Sequence, residues 1–559
     1  MTTATIEHIW SDLSANTVSD TFNSKYTEVV KRFFGRDKTL WPTYQIAGLD
    51  SLIENRRHSA EFNDEHMMET LLNYSEIPAH CSDSNEPFDP IAMFAAQKTK
   101  NWEDPKAVEN VISTPSDPAI HGAILATIAN PNLVYSEYSG KATELERLVV
   151  RQIANLAGYD VEQASGLFTQ GGTFCNLYGY LLGLRKALPG SCVQGFANQS
   201  LMMMNSQAGH YSNMTNLSLL GININDQVLR VHIDENNQMD IDHAEQQMED
   251  CFKKGIVIPT ILLTFGTTDT FAIDDVKAIY DIRERLCAQY KTSYKPHIHV
   301  DAAIGWALIF FNNYDFNANP LGINAATLDG LMALNGKVKA LKYADSFTVD
   351  FQKWGYVPYT SSLIMVKNGK DFESLKHDPS YFSYFEPAMQ DDTHLQSTIE
   401  CSRSGVGVFS AFSALQYMGL EGYQAVIANG LQNANYLRAL LEQKPNCVVV
   451  SPENHGPSVT FRLYDAKCKT EATEMFRRER DAFTSEKDME NVVHAAAFHR
   501  QNFQGRKGQV LNTNWIDSVA RTAYNANGQC LYLPGEKAVF LNPFTTRQRI
   551  EEFVANIES

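Results

Sequence analysis

Apolar residues recur at helical spacing through Thr143-Glu-Leu-Glu-Arg-Leu-Val-Val-Arg-Gln-Ile-Ala-Asn-Leu-Ala157, and the pattern stops at Gly158, a residue type that ends helices. The same spacing predicts helices over 177–186 and 276–287, and helical character over 26–34. Short apolar runs at 259–266 and 296–301 predict buried strands, and Thr348-Val-Asp-Phe351 alternates like another. From about 140 to 370, strands and helices alternate, which implies a mostly parallel sheet covered by helices on both faces, an α/β fold. The polar, proline-containing stretch 80–90 reads as a loop. Three units are expected: an N-terminal helical segment over 1–115, a large domain over 116–420, and a smaller C-terminal α+β domain over 421–559.

Composition narrows the picture. The chain has 559 residues, 44% apolar and 20% charged, which is enough apolar content for a large core. A net charge of -18 opposes nucleic acid and anionic membrane as partners. The apolar run Gly305-Trp-Ala-Leu-Ile-Phe-Phe311 is far short of a membrane span. No basic head and apolar core follows Met1, and the nine cysteines contain no Cys-x-x-Cys pair, so a reducing, cytoplasmic setting is expected. The histidines and acids show no metal-ligand spacing, and no metal site is expected.

Candidate chemistry lies where predicted strands end. Asp301 closes His-Ile-His-Val-Asp and is followed by Ala302 and Ala303; open α/β sheets bind ligands beyond such carboxyl ends, although a strand-end Asp also serves as a plain turn residue. Lys353 follows Thr348-Val-Asp-Phe-Gln and precedes Trp354; a partly desolvated amine there would lose proton affinity and become nucleophilic. Thr169-Gln-Gly-Gly172-Thr173-Phe174 directly precedes a helix, where glycines and free backbone N–H groups can cradle a phosphate, or simply connect a loop to a helix. His210 could stack on a ring, and Thr267 could donate to a cofactor oxygen or close a turn. An amine, an acid and an anion cradle are what pyridoxal phosphate requires: the lysine bonds its aldehyde, and the acid keeps its ring nitrogen protonated.

Taken together, these segments resemble the group II pyridoxal-phosphate-dependent amino-acid decarboxylases, such as the glutamate, aromatic L-amino-acid and bacterial tyrosine enzymes. The resemblance rests on Asn130-Pro-Asn-Leu-Val-Tyr, Thr143-Glu-Leu-Glu, Gln-Gly-Gly-Thr-Phe-Cys-Asn176, Gly-His210-Tyr-Ser, Gly-Thr267-Thr, His-Val-Asp301-Ala-Ala, Asp345-Ser346 through Lys353, and Glu-Cys-Ser-Arg403-Ser-Gly, in that order. It implies the fold type I, aspartate aminotransferase-like architecture and a homodimer whose N-terminal segments wrap the partner. It implies Lys353 as the imine lysine, Asp301 as the partner of the pyridine nitrogen, and His210 stacked on the ring with Ala303 beneath. Thr173, the Phe174 backbone, Ser346 and Asp350 would hold the phosphate. His121 and Arg403 are candidate contacts to an amino-acid substrate; Arg403 could equally be a structural ion pair.

Two departures stand out. Gln352 takes the place of the family's usual histidine; it can still donate to phosphate but cannot titrate. The family's loop tyrosine, which protonates the carbon left by CO2, falls near His394, which could act as the acid instead. The leading expectation is α-decarboxylation of an L-amino acid, leaning to an aromatic one. The alternatives are an oxygen-consuming, aldehyde-forming oxidative deaminase or other lyase, and a non-catalytic family member.

Overall fold

In the computed structural model the described residues are 18–36, 99–376, 397–468, 470–481, 486–524 and 530–557, with a few isolated positions among the rest. The buried apolar runs form strands β1 (Ser165–Thr169), β2 (Met203–Ser206), β3 (Val228–Val231), β4 (Thr260–Thr264), β5 (His297–Asp301), β6 (Ser346–Asp350) and β7 (Ser362–Val366). They make one sheet in the order β1-β7-β6-β5-β4-β2-β3. The pairs β2–β3, β2–β4, β4–β5 and β5–β6 are parallel, while β7 runs antiparallel to both neighbours. Every residue of β2, β4, β5, β6 and β7 is buried, as a sheet covered on both faces requires.

The predicted helices form with modest shifts at their ends, as Ala142–Ala157, Gly172–Ala187 and Val276–Tyr290. Gly158 terminates the first with φ 79°, a left-handed conformation that glycine adopts without steric cost. The apolar run Gly305–Phe311 is a fully buried 3-10 helix. Asp20–Phe34 begins at Ser19, whose side chain accepts from the Phe22 amide, and buries Phe22, Tyr26, Val30 and Phe33 within the same chain. Tyr26 Oη donates to the Pro543 carbonyl at 2.6 Å and accepts from Asn429 at 3.0 Å, so this helix is fastened to the C-terminal half.

A long helical element, Val406–Glu442, bends at Gly419, where φ is 61° and ψ −171°. The division expected at 420/421 falls inside this element, just past the bend. The helix Asp117–Ala129 packs on it so closely that a Cβ at Gly122 would run into the Phe409 carbonyl. Beyond it, β8 (Cys447–Val450), β9 (Ser458–Leu463), β10 (Asn514–Tyr524) and β11 (Cys530–Val539) form a second, antiparallel sheet in the order β10-β11-β9-β8. Among the described residues, no helix is long and apolar enough to cross a membrane.

Candidate active site

The parallel register aligns the carboxyl ends of the central strands: Thr264 of β4 is opposite Asp301 of β5, and Asp350 ends β6 beside them. That edge is where a doubly covered sheet leaves room for a ligand. A cavity of about 670 Å³ lies there, within the size range of small-molecule sites. Its walls come from the Gly171–Thr173 turn, the segment Ala208–Ser212 after β2, the strand ends, and Lys353; Ser518 and Val519 of the second sheet complete it.

Lys353 lies just past β6, and its amide donates to the Asp350 carbonyl at 3.1 Å. The tight turn folds the side chain back, leaving Nζ 3.0 Å from Asp350 Oδ2. Burial pulls the Lys353 ammonium down, but the Asp350 and Asp301 carboxylates together outweigh it and hold its pKa above the ordinary lysine value. The sequence-based expectation of a lowered value is therefore reversed, because desolvation was considered without the two acids. Asp301 is buried and oriented at both oxygens: Oδ2 accepts from Asn176 Nδ2 at 2.8 Å, and Oδ1 accepts from the Ala303 amide at 3.2 Å.

His210 and Ala303 both line the cavity. His210 Nδ1 accepts from the Ser212 amide at 3.3 Å, which leaves Nε2 to carry the proton. Burial holds this imidazole below the ordinary histidine value, favouring the neutral ring. Gly172 and Thr173 line the same space at the start of the helix Gly172–Ala187, where first-turn amides lack intrahelical acceptors. Thr267 faces the cavity while also closing a turn: its Oγ1 accepts from the Ala272 amide at 2.9 Å. Both ends of the Gln352 amide are used locally, Nε2 donating to Ser362 Oγ at 2.8 Å and Oε1 accepting from the Ser361 amide at 2.9 Å. Ser362 Oγ in turn donates to Asp350 Oδ1 at 2.6 Å. Asp350 thus acts as an acceptor serving Lys353 and Ser362, and as a carboxylate it has no proton to offer a phosphate.

Four other expected site residues lie elsewhere. Ser346 starts β6, fully buried, and its Oγ is shared by His297 and His299 at 2.7 Å each; it does not line the cavity. The Phe174 amide donates to the Gly171 carbonyl at 2.9 Å, so it is already spent within the turn. Arg403 is buried in a two-pronged pair with Glu146 (Nη2 to Oε2, 3.0 Å) and also donates to the Phe168 and Leu133 carbonyls. It is the structural ion pair, clamping β1 behind the glycine turn. His121 sits on the helix Asp117–Ala129, away from the cavity lining. His394 falls outside the described residues.

Asn176, Ser362, Asp269 and Tyr359 reach or support the cavity without having been singled out for a role in the sequence. Asn176 carried a signal: it lies three residues after Thr173, on the same helical face. Asp269, which lines the cavity, is paired to Lys537 of β11 at 2.7 Å, tying the second sheet to the site.

The residues present fit pyridoxal phosphate. Gly171, at φ 124°, has open space where a side chain would be, so a phosphate can approach the helix start. Thr264 Oγ1 and Asn213 Nδ2 are buried polar atoms lacking a protein partner among the described residues, and Thr264 borders the cavity. A flat heteroaromatic ring between His210 and Ala303 would leave the aldehyde for Lys353 and the ring nitrogen for Asp301.

The pyridoxal-dependent decarboxylase conserved domain, as a family profile, matches residues 66–464. Similar sequences include an aspartate 1-decarboxylase of Aliivibrio fischeri, 25% identical over 431 residues that cover 70% of this chain and 72% of the relative. An L-2,4-diaminobutyrate decarboxylase of Acinetobacter baumannii is 25% identical over 382 residues, 64% of this chain and 68% of that one. An L-tyrosine decarboxylase of Enterococcus faecium is 28% identical over 270 residues, 44% and 43% of the two chains. Two solved structures share the fold: mouse CSAD in apo form, with TM-score 0.70 and 17% identity over 92% of this chain and 99% of its own, and Oryza sativa TDC with PLP and tryptamine, with TM-score 0.70 and 16% identity over 92% and 97%.

Proposed function

The chain belongs to the pyridoxal-dependent decarboxylase family, and on that premise we propose that it removes the α-carboxylate of an L-amino acid as CO2, releasing the amine, with Lys353, Asp301 and His210 as the groups that act on cofactor and substrate. The chain is a pyridoxal-phosphate-dependent carboxy-lyase acting on amino acids. The observation that carries the finer reading is the convergence of Lys353, Asp301 and His210 on one cavity at the carboxyl edge of the sheet.

Bound pyridoxal phosphate supplies a sink for the electron pair left when the carboxylate departs. The protein's part is orientation and proton control. Lys353 is the amine that would hold the cofactor's aldehyde. Asp301, fixed by Asn176 and the Ala303 amide, holds a proton on the ring nitrogen. His210, with Nε2–H directed away from its Ser212 contact, would offer a hydrogen-bond donor within the cavity it lines. Gly172 and Thr173 provide the phosphate end.

The relatives are named for acidic, basic and aromatic substrates. That spread lends nothing to the aromatic preference drawn from the sequence, so the proposal leaves the substrate's side chain open. Assembly as a homodimer in the cytosol belongs to the same proposal. Leu125 and Ile128, with Tyr417 and Leu420 on the helical element packed against them, are exposed apolar residues of the kind that a second copy would cover.

The test is to incubate purified protein with individual L-amino acids while following CO2, amine, oxygen and peroxide. CO2 and amine in equal amounts, without oxygen uptake, are expected. Peroxide and aldehyde would replace the proposal with oxidative deamination, and Lys353→Ala retaining full turnover would remove Lys353 from its role.

A further inference from the structure

Asp301 stands at the end of a chain of buried hydrogen bonds that the proposed reaction does not itself require. Asn176 Nδ2 donates to Asp301 Oδ2 at 2.8 Å. Asn176 Oδ1 receives Thr348 Oγ1 at 2.7 Å and His299 Nε2 at 3.1 Å. His299 Nδ1 meets Ser346 Oγ at 2.7 Å, and Ser346 Oγ meets His297 Nε2 at 2.7 Å. His297 Nδ1 lies 3.4 Å from Lys186 Nζ, which is paired with Asp371 at 2.6 Å near the surface. Asn176, His297, His299, Ser346 and Thr348 are all at most 2% exposed.

The direction of every link follows from the two ends. A lysine ammonium only donates, so His297 Nδ1 accepts and Nε2 carries the hydrogen. That hydrogen goes to Ser346, whose single hydroxyl hydrogen must then go to His299 Nδ1. His299 therefore carries its hydrogen on Nε2 and gives it to Asn176 Oδ1. This fixes the amide with its NH2 toward Asp301, a carboxylate that only accepts. Burial holds both imidazoles neutral, His299 at about 3 and His297 well below the ordinary value, so each ring is one donor and one acceptor. No link is frustrated, and hydrogen bonds aligned head to tail polarise one another.

We infer that Lys186, His297, Ser346, His299 and Asn176 form a one-way hydrogen-bond relay that positions the Asp301 carboxylate toward the ring nitrogen of the cofactor. These are positioning residues; only Asp301 touches the cofactor. The inference rests on the proposed role of Asp301, and its test separates the two. Lys186, His297, Ser346 and His299 lie off the cavity lining, and Asn176 alone of the relay borders it, so the first four act only through Asn176 and Asp301.

The experiment is a double-mutant cycle read by the dissociation constant for pyridoxal phosphate of apo protein, measured by fluorescence quenching, with the near-visible absorbance of the loaded protein as a second readout. Ser346→Ala breaks the relay at its centre and removes one buried hydroxyl. In the Asp301 background it should weaken cofactor binding by about fivefold and shift the absorbance band, the size of effect expected from losing one neutral hydrogen bond. In the Asp301→Asn background the same substitution should change neither. Lys186→Met, at the half-buried outer end, should act in the same direction with smaller size, and it remains informative if Ser346→Ala fails to fold. If Asp301→Asn binds the cofactor like the parent, the role of Asp301 fails. If Asp301→Asn weakens binding but Ser346→Ala and Lys186→Met do not, or weaken it equally in both backgrounds, the relay fails and these residues are packing alone.

Discussion

Lys353 Nζ lies 3.0 Å from Asp350 Oδ2, and three positions along the chain suffice to make this pair because the turn after β6 folds the lysine back on the strand end. Asp350 is itself fixed by Ser362, which Gln352 orients. The carboxylate keeps the apo-protein's lysine charged, and the charged form is the one that cannot attack an aldehyde.

The pH dependence of cofactor loading follows with a definite sign. The rate at which apo protein takes up pyridoxal phosphate should rise with pH as Lys353 gives up its proton. Asp350→Asn removes a carboxylate that raises the lysine pKa, so the rise should move to lower pH. Because the folded pKa is raised, the pair's contribution to stability is fully present below the unfolded lysine value of about 10.4 and is lost as pH climbs through the folded value. Stopped-flow absorbance of loading across pH checks this; an identical profile in Asp350→Asn would discard the assigned role of the carboxylate.

Arg403 should prove a stability residue. Its side chain is 3% exposed and grips Glu146 with both terminal nitrogens, while Glu146 also accepts from the Phe168 amide at 2.7 Å. Arg403→Met leaves a buried carboxylate without its counter-ion, which typically costs about 3–5 kcal/mol. Denaturant unfolding of apo protein should show a loss of that order. The turnover that remains should keep the parent's ranking of amino acids; normal stability with an altered ranking would return Arg403 to the substrate.

Gln352→His would test the departure from the family's usual residue. The glutamine satisfies a donor and an acceptor at once, Ser361 N–H and Ser362 Oγ. An imidazole's donor and acceptor diverge more widely than those of the amide, so Gln352→His is expected to leave one of these buried partners unpaired, at a cost of about 1–3 kcal/mol. Thermal unfolding of apo Gln352→His should report that loss; an unchanged or raised melting temperature would show that the site accepts imidazole freely.

Much of this site was legible because its chemistry sits at strand ends. Asp301 and Lys353 follow apolar runs, and an α/β sheet directs such positions to one edge. Ser346 misled for a geometric reason. It shares a strand with Asp350, but four residues of extended chain put it roughly 13 Å from the carboxyl end. Polar and apolar residues alternate along β5 and β6, which sets His297, His299, Ser346 and Thr348 apart from the apolar face, but nothing in the sequence told which of them would meet across the strands. The pairing of Arg403 with Glu146 was invisible for another reason: their contact spans 257 positions of the chain.

Gly179 shows how the helix and the relay depend on each other. Gly179 and Gly183 lie four apart on Gly172–Ala187 and so face the sheet together. A Cβ at Gly179 would overlap the His299 ring, and one at Gly183 would overlap Thr260 Oγ1. The His299 ring cannot step aside without giving up Ser346 or Asn176. Gly179→Ala gains about 1 kcal/mol of helix propensity, against about 1–3 kcal/mol for overpacking a filled interior, so net destabilisation is expected, together with weaker cofactor binding through the displaced Asn176. Gly336, exposed in the helix Ala325–Ala340 with nothing within 4 Å of an added Cβ, is the matched control, and Gly336→Ala should stabilise by about 0.5–1 kcal/mol. Parallel denaturation curves and cofactor titrations of the two variants decide the matter: equal stabilisation in both would mean that the helix does not rest on His299 as described.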